Sequence, residues 1–214
     1  MIKNDTKVFR LAASYTIGSH ILPGKPISDI SQKLQSKIEL KITSCDKIID
    51  GIKKSEYDLG LIETPIFDDS LVYKEWMEDE LVICSKIPIP QNISEDEINR
   101  YRLIARKEDS LTRMVISNFL AKKGLSYQSF KSISEIDNAT AAIQSIKWSK
   151  PDKENPTVAI VSQLAIEDEL KRAELHKARI KDLPIVRKFY LIYNSEKHQD
   201  IDIDDIIESL KNYK

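Results

Sequence analysis

The sequence is poor in the side chains that bind metals, with only two cysteines, Cys45 and Cys84, and three histidines in 214 residues. A structural zinc site needs clustered Cys or His ligands, and no Cys-x-x-Cys or His-x-x-x-His spacing is present. We therefore expect neither a metal nor another cofactor. Both cysteines are interpreted as small buried residues, and a redox role for Cys45, at the start of a predicted helix, is the less favoured alternative.

The chain also lacks a charge excess and a long apolar run. Its 33 Lys and Arg against 34 Asp and Glu give a net charge of −1, which argues against nucleic-acid binding through overall charge. A membrane span needs about 20 consecutive, mostly apolar residues, and no run approaches that length. Residues 1–6 contain no apolar signal core. We therefore expect a cytoplasmic location without a membrane partner.

Signatures of catalysis are missing as well. There is no Gly-x-Ser-x-Gly motif, phosphate-binding loop or catalytic dyad, so no catalytic residue is predicted. With 41% apolar and 31% charged residues, the chain is typical of a globular protein rather than a disordered one. Its length fits one large domain or two small lobes.

Strand-like and helix-like segments alternate in two passes along the chain. The predicted strands of the first pass are residues 8–13, 38–42 and 58–62. Those of the second pass are residues 102–106, 129–133 and 158–161. This β-α-β-α-β order predicts parallel, doubly wound sheets. We expect the first helix to run from residue 14 to residue 34, with Pro23 and Pro26 disturbing its middle, and a later helix at 135–148.

Five short motifs follow one another in a specific order. They read LAASYTIG (11–18), YDLGLIE (57–63), WMEDELVI (76–83), RKEDSLTR (106–113) and VAIVS (158–162). Each is weak by itself, but their succession across residues 8–212 resembles the effector-binding domain of LysR-type bacterial transcriptional regulators. The resemblance implies an α/β, two-lobed fold similar to type 2 periplasmic binding proteins. Each lobe is expected to be a mixed, mainly parallel sheet flanked by helices.

The resemblance also implies how the chain is divided. Lobe I is expected at residues 1–78 plus 187–214, and lobe II at residues 79–186. Family members carry an N-terminal winged helix-turn-helix and a long linker helix, and both are expected to be absent from this chain. The implied function is effector sensing in a DNA-binding regulator, where a ligand in the cleft between the lobes changes a dimer or tetramer arrangement.

The implied partners are a small-molecule effector and further copies of the chain. We expect a homodimer through lobe I, a tetramer in the full-length protein, and DNA contacts only through the missing N-terminal domain. A stand-alone solute-binding protein of a transport system shares the fold and is the alternative hypothesis. An enzyme on the same scaffold is a third hypothesis, without a reactive pair to support it.

The family's ligand motifs fall on hydroxyl residues at two predicted helix starts. Its Ser/Thr-x-Thr motif falls on Ser14 and Thr16, and its Ser-Gly-Thr-Arg motif falls on residues 110–113. Hydroxyls at a helix start serve as caps, as anion contacts, or as both. Ser134 and Asn138 are expected where the next helix begins. The expected effector-binding residues are Ser14, Tyr15, Thr16, Glu63, Arg106, Ser110, Thr112, Ser134 and Asn138.

Two residues depart from the family pattern. Leu111 replaces the glycine of the second motif, and Glu63 stands where a small or hydroxyl residue is usual. Because a carboxylate repels a simple anion, either the effector carries an amine or another donor, or Glu63 is paired with a cation such as Lys188 or Arg106. Pairing is favoured, since buried charges are usually paired. The expected effector is therefore an anion or an amino-acid-like molecule.

Overall fold

A computed structural model describes residues 8–63, 67–196 and 203–211. Residues 1–6, which bear on the absence of a signal sequence, lie outside the described residues. The chain divides into two compact units. Unit 1 consists of Met1–Glu78 with Lys188–Lys214, and unit 2 is Asp79–Arg187.

The described residues form ten strands and six α-helices. The strands are β1 (Val8–Ala13), β2 (Lys37–Ile42), β3 (Leu59–Ile62), β4 (Leu71–Ser85), β5 (Asn92–Ile93), β6 (Arg102–Arg106), β7 (Ser132–Ile136), β8 (Thr157–Ser162), β9 (His176–Ile180) and β10 (Ile185–Asn194). The helices are α1 (Lys25–Leu34), α2 (Cys45–Lys53), α3 (Leu111–Ala121), α4 (Ala139–Lys147), α5 (Glu167–Lys171) and α6 (Ile203–Lys211).

The sheet of unit 1 has the strand order β2-β1-β3-β10. Strands β2 and β3 both pair parallel with β1, and β10 pairs antiparallel with β3. Helix α2 packs here through Ile48, Ile49 and Ile52, which are at most 6% exposed. Burial of one apolar helix face against a parallel sheet is the arrangement that the alternating pattern predicts, so the parallel order of the three strands of the first pass is confirmed.

The expected helix from residue 14 to residue 34 is wrong. A short π-helical turn occupies Ile17–Ile21, and α1 begins separately at Lys25. Gly24 lies between them with φ +89°, a conformation that favours glycine. Pro26 stands in the first turn of α1, where the missing N–H of proline costs no helical hydrogen bond. Proline and glycine therefore end one helical segment and start another, instead of disturbing one helix.

The sheet of unit 2 is built around the parallel strands β7, β6 and β8. Strand β4 pairs antiparallel with β8, β9 pairs antiparallel with β4, and β5 pairs parallel with β9. Side chains of β4 alternate between two apolar clusters, with Leu81 and Ile83 in one and Val82 in the other. The first cluster contains Ile116 of α3 and the second contains Ile143 of α4, so these helices cover opposite faces of the sheet.

The boundaries around residue 134 differ from those predicted. The strand expected at 129–133 is found at Ser132–Ile136, and the helix expected at 135–148 begins at Ala139. A single 3₁₀ turn occupies Tyr127–Ser129. Ser134 therefore lies inside a strand rather than at a helix start, which corrects its expected position.

Both cysteines are buried, and neither forms a disulfide. Cys45 is the first residue of α2, and burial raises the pKa of the Cys84 thiol to about 12. No helix in the described part of the chain has the length and apolar character needed to cross a membrane. Within the same described residues, no three His, Cys, Asp or Glu side chains gather into a group suited to a metal ion.

Candidate functional site

A polar cluster lies in unit 1 where β1 and β3 end. The two strands are parallel neighbours, so their carboxyl ends meet at one edge of the sheet. Ser14 directly follows β1, and Glu63 directly follows β3. The Ser14 hydroxyl donates to Glu63 Oε1 at 2.9 Å, and the backbone N–H of Thr16 donates to the same oxygen at 2.8 Å. We call Ser14, Thr16 and Glu63 the Glu63 cluster.

The Glu63 cluster is buried. Ser14, Thr16 and Glu63 are only 2%, 3% and 7% exposed. A buried carboxylate is costly unless it is hydrogen-bonded, and the two donors stabilise it. Tyr15, also expected at the site, is 40% exposed and lies at the surface. Three of the four site residues expected in unit 1 are thus brought together.

This arrangement changes the chemistry expected of the two donors. Ser14 and Thr16 are predicted to donate to an anionic effector, whereas here both donate to a carboxylate that the chain itself supplies. A simple anion close to the same donors would be repelled by Glu63. The Glu63 cluster therefore suits a ligand group that donates hydrogen bonds, such as an ammonium or hydroxyl group.

Lys188 was one of two cations expected beside Glu63. Its Nζ donates to the two carboxylate oxygens of Glu75 at 2.9 and 2.8 Å, and both side chains are largely exposed. This hydrogen-bonded carboxylate raises the pKa of Lys188. The Lys188 ammonium group is thus hydrogen-bonded to Glu75 at the surface. Pairing of Glu63 with Arg106 stays a prediction.

Two expected site residues lie at the start of α3 in unit 2. Ser110 is the N-cap, because its Oγ accepts the backbone N–H of Arg113 at 3.1 Å. Thr112 lies in the first turn, and its Oγ1 accepts a hydrogen bond from Arg187 Nη1 at 3.4 Å. The capping interpretation of Ser110 is confirmed. A cap does not exclude a ligand contact, since both use the same end of the helix.

A buried ion pair adjoins Thr112. Arg187 Nε donates to Asp79 Oδ2 at 2.8 Å, and the Ser162 hydroxyl donates to Asp79 Oδ1 at 2.6 Å. The side chains of Arg187 and Asp79 are only 4% and 0% exposed. Charges this deeply buried need a partner and satisfied hydrogen bonds. We call Asp79, Thr112, Ser162 and Arg187 the Arg187 cluster.

Arg113, which the motif comparison left without a role, connects the elements around the start of α3. It is 6% exposed, and its Nη1 donates to the Arg106 carbonyl at 2.7 Å and pairs with Glu135. Its guanidinium carbon lies 4.5 Å from the centre of the Tyr127 ring, and burial raises the pKa of that phenol. Arg113 therefore ties the end of β6 and strand β7 to the helix that carries Thr112.

Ser134 and Asn138 are not side by side at a helix start as expected. Asn138 is the N-cap of α4, because its Oδ1 accepts the N–H of Ala141 at 2.8 Å. Ser134 pairs with Ile104 within the sheet. Since neighbouring side chains of a strand point to opposite faces, Ser134 faces away from Arg113, the partner of Glu135.

The sequence-based site omitted Asp79, Ser162 and Arg187. An indication was available, because Asp79 and Arg187 each have apolar residues two positions away on both sides of their strand, and charged residues are rarely buried without a partner. Asp79 and Arg187 are 108 positions apart, so no local spacing connects them.

Comparisons with known proteins identify a family for this chain. The protein-family model described as LysR substrate binding domain matches residues 3–214. A probable RuBisCO transcriptional regulator of Emiliania huxleyi is 29% identical over 196 residues, covering 88% of this chain and 60% of the relative. The uncharacterized HTH-type transcriptional regulator YeiE of Escherichia coli K12 is 24% identical over 201 residues, covering 92% of this chain and 66% of the relative.

Similarity to a solved structure supports the fold. The CcmR regulatory domain of Synechocystis PCC6803, solved in complex with 2-PG, matches with a TM-score of 0.77 and 22% identity over 96% of both chains. The predicted α/β fold, with mixed, mainly parallel sheets flanked by helices, is confirmed. The chain spans less than two thirds of the length of the two regulators named above.

Proposed function

Because the chain belongs to the LysR substrate binding domain family, we propose that it is the small-molecule effector-sensing domain of a DNA-binding transcriptional regulator. The relatives named above are described as transcriptional regulators, one of them of the helix-turn-helix type. In this proposal, DNA is bound by a winged helix-turn-helix elsewhere in the parent protein. The chain itself contributes no DNA contact and no catalysis.

The Glu63 cluster is the observation that carries this proposal. It places Ser14, Thr16 and Glu63 in hydrogen-bonded contact at the carboxyl ends of two parallel strands, where ligands of such sheets usually bind. The family pattern and the usual location of ligands in such sheets both support this place. A cluster serving only to cap a helix would need no buried carboxylate, because Ser or Thr alone can cap.

We propose nine effector-binding residues of unequal weight. Ser14, Thr16 and Glu63 are supported by their mutual contacts, and Thr112 by its contact with a buried arginine. The others are supported by the family pattern and by their places at strand or helix ends. They are Tyr15, Arg106, Ser110, Asn138 and, with the least support because it lies within a strand, Ser134.

The effector that fits these groups is amino-acid-like rather than a plain anion. A hydrogen-bond donor suits the Glu63 carboxylate of unit 1, and acceptor oxygens suit the hydroxyl and N–H groups at the start of α3 in unit 2. CcmR was solved with 2-PG, so that compound is a reasonable test ligand. Glu63 nevertheless argues that an ammonium group improves binding here.

The regulatory output would follow from unequal binding to two arrangements of the protein. An effector changes an equilibrium only when it binds one state better than the other. We propose that units 1 and 2 correspond to lobes I and II, and that copies of the chain form a homodimer through lobe I and a tetramer in the full-length protein. A cytoplasmic location belongs to the same proposal.

A solute-binding protein for transport is the less supported alternative, because the relatives reported above are described as regulators. Full-length parent protein would distinguish the two functions, since only a regulator should bind promoter DNA in an effector-dependent manner. Enzymatic turnover is tested with the same ligands. A bound compound recovered unchanged after long incubation supports sensing, and a converted compound contradicts it.

A thermal-shift screen with matched ligands tests the proposal on this chain. The pairs are aspartate with succinate and glutamate with glutarate, which differ by one ammonium group, together with sulfate and 2-PG. A ligand at about 100 times its Kd stabilises the folded protein by about 2.7 kcal/mol, which shifts the melting temperature by about 5–10 °C. We expect the amine-bearing member of a pair to give the larger shift. No shift with any compound would count against effector sensing.

A further inference from the structure

The Arg187 cluster contains a charged group that the proposed function does not use. Arg187 and Asp79 are buried together, with side chains 4% and 0% exposed. Asp79 accepts from Arg187 Nε on one oxygen and from the Ser162 hydroxyl on the other. A buried ion pair adds little net stability compared with apolar packing. The presence of this pair therefore raises the question of what its fixed geometry does.

Asp79 holds the arginine in one orientation. Arg187 has a planar guanidinium whose donors are fixed in a fork, so anchoring Nε on Asp79 also fixes where Nη1 lies. Nη1 is 3.4 Å from Thr112 Oγ1. The contact is long for a hydrogen bond, but both Arg187 and Thr112 belong to unit 2 and are supported by its ordered elements.

The contact defines the role of the Thr112 hydroxyl. A guanidinium can only donate, so Thr112 Oγ1 is the acceptor in this pair. An oxygen that accepts from Arg187 directs its own O–H bond away from the guanidinium. The hydroxyl is thereby oriented as a donor, which suits an acceptor oxygen on a ligand.

We propose that Arg187 is a positioning residue of the effector site. Held by Asp79, it orients the Thr112 hydroxyl to donate to an oxygen of the effector, such as a carboxylate or phosphate oxygen. The inference rests on the proposed function, in which Thr112 contacts the effector. It adds Asp79 and Arg187 to the residues that determine affinity, although neither is proposed to touch the ligand.

A measurement without ligand tests the positioning itself. In Arg187→Lys, the ammonium keeps a positive charge beside Asp79, but a point charge cannot reproduce the fork that also reaches Thr112. Three-bond NMR couplings to the ¹³C-labelled γ-methyl group report the Thr112 side-chain rotamer. We expect one rotamer in the parent chain and averaged rotamers in Arg187→Lys.

The matched control is Arg179→Lys, which makes the same change in an exposed pair with Glu80 in unit 2. It should leave the Thr112 couplings unchanged. An unchanged single rotamer in Arg187→Lys would overturn the inference, whatever the effector is. This outcome leaves the proposed function untouched.

A double-mutant cycle tests the consequence for binding, with aspartate and glutamate as probes. Arg187→Lys and Thr112→Val should each raise Kd about tenfold. If Arg187 acts through Thr112, the Kd of the double variant should also rise about tenfold, whereas independent effects would raise it about a hundredfold. Independent effects, or an unchanged Kd in Arg187→Lys, would overturn the inference. If the parent chain binds neither probe, that result counts against the proposed ligand class, and the rotamer measurement decides the role of Arg187.

Discussion

Removal of the Asp79 carboxylate is the most direct test of the structure of unit 2. Asp79→Ala removes the acceptor of Arg187 Nε at 2.8 Å and the acceptor of the Ser162 hydroxyl at 2.6 Å. The guanidinium stays in surroundings where it is 4% exposed. The variant therefore leaves a buried cation without its carboxylate and a buried hydroxyl without its acceptor.

The expected cost follows from burial. Removing one member of a buried ion pair costs about 3–5 kcal/mol, because the remaining charge stays desolvated. Glu75→Gln, which disrupts the exposed pair with Lys188, should cost at most about 1 kcal/mol. Asp79→Asn removes the charge but keeps an acceptor oxygen for Ser162. We expect its cost to lie between those of the other two variants.

Urea unfolding followed by circular dichroism gives the free energy of unfolding of each variant. Hydrogen exchange with mass spectrometry shows whether protection is lost in β4, β8 and β10. A cost below about 1 kcal/mol for Asp79→Ala, equal to that of Glu75→Gln, would refute the argument, because exposed pairs lie in that range. Loss of protection confined to other strands would also contradict it.

Three further predictions concern the site and the core. Thr16→Ala and Thr112→Ala should weaken effector binding and leave the fold intact, and ligand-induced melting shifts equal to those of the parent chain would count against the site. Glu63→Gln removes a charge but keeps an acceptor for Ser14, so sulfate and succinate should bind about tenfold more tightly. An unchanged affinity in calorimetric titration would contradict this prediction. Burial raises the pKa of the Cys84 thiol to about 12. Iodoacetamide at pH 8 should therefore label Cys84 only when the chain is unfolded in urea, and labelling of Cys84 in the folded chain would disprove its burial.

Much of the fold and part of the site could be predicted because the relevant signals are local. Ser14 and Glu63 are 49 positions apart, yet each directly follows a buried strand. Parallel order alone brings their ends together. Ser110 and Asn138 were predictable as caps for the same reason, since a cap is determined within one helical turn.

Ser134 was misplaced because its segment supports two structures. In Ser132–Ile136 the burial alternates only weakly, with two half-buried isoleucines among exposed residues. Such a polar stretch fits an edge strand or the first turn of a helix. The helix start is decided by Asn138, whose side chain caps α4. A strong cap thus determines the boundary more reliably than the apolar pattern around it.

The sequence-based site omitted Arg187, although the sequence contains a signal that distinguishes it from its neighbour Lys188. Adjacent residues of a strand face opposite sides, so only one of the two basic side chains can be buried. Ile185 and Phe189 are 4% and 0% exposed and share a face with Arg187. The two large apolar residues at i−2 and i+2 therefore select Arg187 for the interior and leave Lys188 at the surface with Glu75. The alternation of faces along the strand identifies the buried cation. Its pairing with Asp79, 108 positions away, depends on how distant strands assemble.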